Sequence, residues 1–210
     1  MSTFYRPGSA KQGLDSIARL RDAAFGAFFR PREAASAGLS YHELQRLVAA
    51  GYVEHAARGL YRLTEAQATE DYSLAAACAR IPRAIVCLLS ALRVHGIGTQ
   101  VSSAVWVAIP HGTRTPKEPG VRIRVIRFSG AALRYGVVVA AFEGVPARIT
   151  TPTRTVLDCF RFERLIGREA AREALRDALR QRLVTSDGLY RALEVLPSRR
   201  LRHVLEATPG

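Results

Sequence analysis

Between residues 14 and 29 (LDSIARLRDAAFGAFF), Leu14, Ile17, Leu20, Ala24 and Phe28 recur at a three- or four-residue spacing, with Asp15 near the start. That period lines one face of a helix. Pro31 suits the first turn of a short second helix, RPREAASA, ending at Gly38. Ser40 is followed three residues later by Glu43. This is a capping box, in which hydroxyl and carboxylate each satisfy the other residue's free backbone amide. The helix it opens turns Leu44, Leu47 and Val48 to one side and stops at Gly51. The next segment, YVEHAARGLYRL, has two β-prone runs about Ala57, Arg58 and Gly59 and predicts a hairpin. Helix, helix, turn, helix, hairpin is the order of a winged helix-turn-helix.

From Thr64 the pattern becomes helical again, with Tyr72, Leu74, Ala75 and Cys78 as its apolar stripe, and breaks near Pro82. Ala84–Leu89 reads equally as a buried strand or a helix start, and SALRVHGIG as a short helix ending at Gly96. Extended segments are expected at Val105–Ile109, Val121–Phe128, Val137–Phe142 and Val145–Thr150. The first two are joined by PHGTRTPKEPG, whose prolines and glycines predict a mobile basic loop. A helix follows from Pro152, another spans Arg168–Leu183, and two short helices close the chain. The fold class expected is α+β: a winged helix-turn-helix domain over 1–64, then over 65–210 a mixed α/β domain with a small sheet and C-terminal helices.

Charge sharpens this picture. The net charge is +13, and 29 of the 31 basic residues are arginine, Lys11 and Lys117 being the exceptions. The excess is +4 over 1–64, +5 over 65–150 and +4 over 151–210, so the whole chain should attract polyanions. The longest apolar run, Ala84 to Leu92, is far too short to span a bilayer. The first eleven residues contain no apolar signal segment, and the three cysteines read as reduced, buried thiols. A cytoplasmic protein without membrane attachment is expected.

With Leu44, Leu47 and Val48 turned inward, the third helix presents Tyr41, His42, Gln45 and Arg46. These side chains can meet base edges or phosphates in a major groove of double-stranded DNA. Arg58 at the hairpin tip, with Arg62 nearby, suits the minor groove or flanking phosphates. Arg122 and Arg124 read as a solvated sheet face, and Arg172, Arg176 and Arg180 as a helix face supported by Glu169, Glu173 and Asp177. No catalytic, cofactor or metal site is expected. The five histidines lack metal-ligand spacing, GIG at 96–98 lacks the third glycine of a dinucleotide loop, and GxSxG is absent. Asp158 reads as a structural partner of Arg154, four residues earlier on one helix.

GLSYHELQRLVAAGYVEHAARGLYRL at 38–63 resembles the winged domain of AbiEi-type antitoxins from bacterial type IV toxin–antitoxin systems. SALRVHG at 90–96 and TPTRTVLDCF at 151–160 are similar to segments of that family's C-terminal antitoxin domain. The resemblance implies repression of the chain's own operon through inverted repeats in operator DNA. It also implies a nucleotidyltransferase-like toxin as functional partner, counteracted through the C-terminal domain, often without a stable complex. It places recognition on Tyr41, His42, Gln45 and Arg46 and the wing role on Arg58. The alternative is a stand-alone winged-helix regulator whose second domain senses a small ligand.

Overall fold

The Ser40 capping box forms as the spacing predicts. In the computed structural model, which describes residues 7–23, 28–57, 59–65, 71–114 and 121–207, the Ser40 amide donates to Glu43 Oε2 at 2.8 Å and the Glu43 amide to Ser40 Oγ at 3.2 Å. The chain divides into two compact units, Met1–Arg80 with Phe142–Val145, and Ile81–Ala141 with Pro146–Gly210.

The first unit contains α1 (Pro7–Asp22), α2 (Pro31–Ser36), α3 (Tyr41–Ala49), the antiparallel hairpin β1 (Val53–Ala57) and β2 (Leu60–Leu63), and α4 (Tyr72–Arg80). Ile17, Leu20, Ala34, Leu39, Leu44, Leu47, Val53 and Tyr61 pack into its core. The first helix differs from the expected 14–29. It ends at Asp22, and Leu14 is 60% exposed although its spacing had placed it on the buried stripe. Phe28 and Phe29 are buried without being helical, because the Phe29 amide and carbonyl both pair with the Tyr61 backbone, at 2.9 and 2.8 Å. A peptide unit committed to a strand partner cannot complete a helical ladder. Ala24 lies outside the described residues.

The second unit contains β3 (Ile85–Val86), α5 (Leu88–Val94), β4 (Val105–Pro110), β5 (Ile123–Phe128), a 3₁₀ turn (Gly130–Leu133), β6 (Val137–Phe142), β7 (Val145–Thr150), α6 (Pro152–Arg161), α7 (Glu163–Ile166), α8 (Arg168–Arg180), α9 (Ser186–Val195) and α10 (Arg199–Ala207). The five strands form one mixed sheet in the order β5-β4-β3-β7-β6, with β3 parallel to β7, antiparallel to β4, and β4 parallel to β5. The ambiguous Ala84–Leu89 segment thus holds both a two-residue strand and the start of α5. Helix α8 stops short of Leu183 because Arg182 takes a left-handed φ of 58° while the Leu183 amide returns to Ala178 O at 3.0 Å. That is how helices close their last carbonyls.

Helix α6 is the centre of this unit, with every residue from Arg154 to Phe160 buried. Val156, Leu157, Cys159 and Phe160 join a core shared with α5, α8, α9, α10 and the sheet. Its polar residues are satisfied locally. Arg154 Nε donates to Asp158 Oδ2 at 2.8 Å, Arg161 Nη1 donates to Asp158 Oδ1 at 2.9 Å, and Thr155 Oγ1 donates to Thr151 O at 2.8 Å. The Arg154 guanidinium also donates to Tyr135 O at 2.5 Å and Ala132 O at 3.1 Å. The structural reading of Asp158 is therefore correct. Burial pushes its carboxyl upward, against the opposing pull of Arg154 and Arg161. All three cysteines are free and buried, and burial raises each thiol, Cys78 to about 12. Among the described residues no helix is long and apolar enough to cross a membrane, and no group of three or more His, Cys, Asp and Glu could hold a metal ion.

Candidate nucleic-acid interface

The turn between α2 and α3 needs a left-handed residue, and Gly38 supplies it with φ 78°. Arg19 on α1 holds that turn, donating from Nη1 to Gly38 O at 2.8 Å and from Nη2 to Ser16 Oγ at 3.0 Å. The same guanidinium lies 3.8 Å from Glu43 Oε1. The backbone amide of Ser40, joined by its hydroxyl, holds the Glu43 carboxyl below its usual range. The N-terminus of α3 is thus fixed from two directions before anything binds it.

Anchored by buried Leu44 and Leu47, α3 turns Tyr41, His42 and Arg46 to solvent, Tyr41 at 64% exposure. Gln45 is half-buried at the margin of that face and donates from Nε2 to the Tyr61 hydroxyl at 3.1 Å. The four residues predicted on α3 therefore share one side of it. The two wing arginines fare differently. Arg58 lies outside the described residues. Arg62 is only 8% exposed; its Nη1 is 3.2 Å from Glu54 Oε1 on the paired strand, and its guanidinium lies 4.7 Å over the Tyr72 ring. Alternation along β2 could have placed Arg62 on either face, and the half-buried Tyr72 ring, packed 5.2 Å from buried Phe28, together with Glu54, holds it inward.

Tyr61 and His55 were not among the sequence candidates. They are cross-strand partners in the hairpin, with His55 exposed and its ring edge-on to Tyr61 at 5.0 Å. The period-2 alternation of the hairpin could have located Tyr61 on its inner face. Its hydroxyl contact with Gln45 spans sixteen residues and has no local signature.

In the second unit the β5 arginines brace neighbouring chain. Arg124 lies 5.3 Å over Trp106, and Arg127 Nη1 donates to Pro110 O and Thr113 O at 3.0 and 2.6 Å. On α8, Arg172 and Arg180 pair with Glu169 and Asp177 as expected. Glu173 and Asp177 reach further, accepting the Thr99 and Gly98 amides at 2.8 and 2.7 Å.

A helix-turn-helix with an exposed polar face on its third helix, followed by a two-stranded wing, defines a winged-helix unit. Residues 17–64 match the family described as a transcriptional regulator, AbiEi antitoxin. The resemblance read from the sequence holds over that stretch, and the matched family is one of regulators. No curated protein matches the chain. Among solved structures, the RV2827C protein from Mycobacterium tuberculosis is similar with a TM-score of 0.64 at 17% identity, covering 98% of this chain and 78% of that one. At that identity the likeness is one of fold.

Proposed function

We propose that this protein is the antitoxin and transcriptional autorepressor of a type IV toxin–antitoxin operon. Residues 1–64 bind inverted repeats in operator DNA, and residues 65–210 counteract a nucleotidyltransferase-like toxin. The observation that carries the reading is the α3 face, where Tyr41, His42 and Arg46 are exposed and Gln45 borders them, within a segment matching an antitoxin regulator family. Helix α3 enters the major groove, and Arg58 meets flanking phosphate from the wing. Arg62, held by Glu54 and Tyr72, supports the wing from within. The chemistry is binding, not catalysis.

The second unit has a hydrophobic core of its own, which supports an activity separable from DNA binding. The test is co-expression with the neighbouring toxin from a foreign promoter, so that repression cannot protect the cells. Gln45→Ala combined with Arg46→Ala is expected to lose repression yet still rescue growth. If this folded, abundant variant fails to rescue, protection runs through repression alone, and the stand-alone regulator with a ligand-sensing second domain becomes the better account.

A further inference from the structure

Gln45 is not a free surface side chain. Its Nε2 donates to the Tyr61 hydroxyl at 3.1 Å, and Tyr61 is held through both backbone and ring. Its amide and carbonyl bridge to Phe29 at 2.8 and 2.9 Å, its ring stacks on Phe29 at 6.2 Å, and His55 closes on its edge. The hydroxyl is therefore a fixed point at the junction of recognition helix and wing.

A primary amide carries two N–H donors and one carbonyl acceptor. When Tyr61 takes the N–H anti to the carbonyl, the syn N–H and Oε1 of Gln45 remain as a coplanar donor–acceptor pair. In the major groove adenine alone among the four bases offers the complement within a single base, an N6 donor beside an N7 acceptor. Guanine shows two acceptors, cytosine a donor, and thymine an acceptor beside a methyl. We propose that Gln45 reads one adenine of the bound DNA across N6 and N7, and that Tyr61 is the positioning residue that sets the amide for it. This rests on the DNA-binding reading of α3. Because the amide is already restrained before binding, little of its rotamer freedom is left to lose on contact.

The experiment is a competition titration of the full chain against duplexes from the region upstream of its own gene, substituting each base pair in turn. It is repeated for Gln45→Ala, Gln45→Glu and Tyr61→Phe. The wild-type chain should show an A·T position where substitution weakens binding roughly 5- to 150-fold, the span of ~1–3 kcal/mol for one bidentate contact. Replacing that adenine with 7-deazaadenine, which lacks the N7 acceptor, should weaken binding too. Gln45→Ala should be indifferent at this position and unchanged at the others. Gln45→Glu, which has acceptors only, should shift the preference there from adenine to cytosine. Tyr61→Phe keeps the stacked ring, so it should fold and bind random DNA, its melting temperature lowered by no more than the loss of one hydrogen bond, while discrimination at this position falls several-fold. Wild-type discrimination in Tyr61→Phe overturns the positioning role. A Gln45→Ala effect confined to a G·C position, or absent everywhere, overturns the adenine contact. A wild-type chain that binds but prefers no sequence sinks this proposal alone, and one that binds no duplex at all sinks the DNA-binding reading with it.

Discussion

Arg154 and Asp158 form a fully buried ion pair inside α6, and removing one partner should cost more than removing both. In Arg154→Met the guanidinium disappears from three acceptors, Asp158 Oδ2, Tyr135 O and Ala132 O, and from its place 4.7 Å over the Phe128 ring. Breaking a buried pair typically costs about 3–5 kcal/mol, and stranding a carbonyl about 1–3 kcal/mol more. Arg161, still 2.9 Å from Asp158 Oδ1, softens the first of these. A loss of about 4–7 kcal/mol is expected, a large share of the ~5–15 kcal/mol that holds a domain together. Asp158→Leu leaves Arg154 charged and buried, and should cost about 3–5 kcal/mol. The double variant buries no unpaired Arg154 or Asp158 charge and strands only the two carbonyls, of which that of Tyr135 is part-buried and still open to water, so about 2–4 kcal/mol is expected. The coupling between the sites should therefore be at least about 3 kcal/mol. Urea melts followed by fluorescence report on the right region, because the sole tryptophan, Trp106, lies in the same core as α6. Should Arg154→Met fail to fold, Arg154→Lys keeps a cation beside Asp158 and gives a measurable intermediate loss. Singles whose costs simply add in the double variant would refute the reasoning.

Gly136 has φ 59°, and a Cβ there would stand 2.7 Å from Arg154 Cβ, so Gly136→Ala should cost about 2–4 kcal/mol. At Gly130, with φ 54° and open space around it, alanine should cost only about 1 kcal/mol, and equal losses in paired thermal melts would show that the Arg154 seat is not tight. Thr99 and Gln100 side-chain donors, with the Thr99 amide, hold the Glu173 carboxyl below its usual range, and the Gly98 amide does the same for Asp177. Folded values below the unfolded ones mean that this stability is complete above the ordinary carboxylate range and is lost as pH falls through the lowered values. NMR titration should then move the Gly98 and Thr99 amide signals with midpoints below the ordinary carboxylate range, and midpoints within that range would contradict those bonds. DNA affinity should fall with salt, by a log–log slope of about −0.9 for each phosphate neutralised. A flat salt titration would argue against an arginine-led phosphate interface.

What the sequence determined by itself was local. The Ser40–Glu43 box, the inward face of α3, the hairpin and the extended ranges of β4 to β7 are each encoded within a few neighbouring residues, whose periodicity and caps act without distant help. The pair Arg154–Asp158 was legible for the same reason, being one helical turn apart. Tertiary structure decided everything that depends on which distant surfaces meet. Phe29 left the helix pattern because its backbone found Tyr61, thirty-two residues away. Arg62, written like a wing cation, was drawn onto Glu54 and Tyr72. The sheet order β5-β4-β3-β7-β6 joins two-residue β3 to strands far along the chain. Such a strand has too few residues to show a period, and its place is set by neighbours that exist only once the chain has closed. The hydroxyl that restrains Gln45 belongs to the same class: helix and wing are separately readable, but the contact between them arises from how both pack on one core.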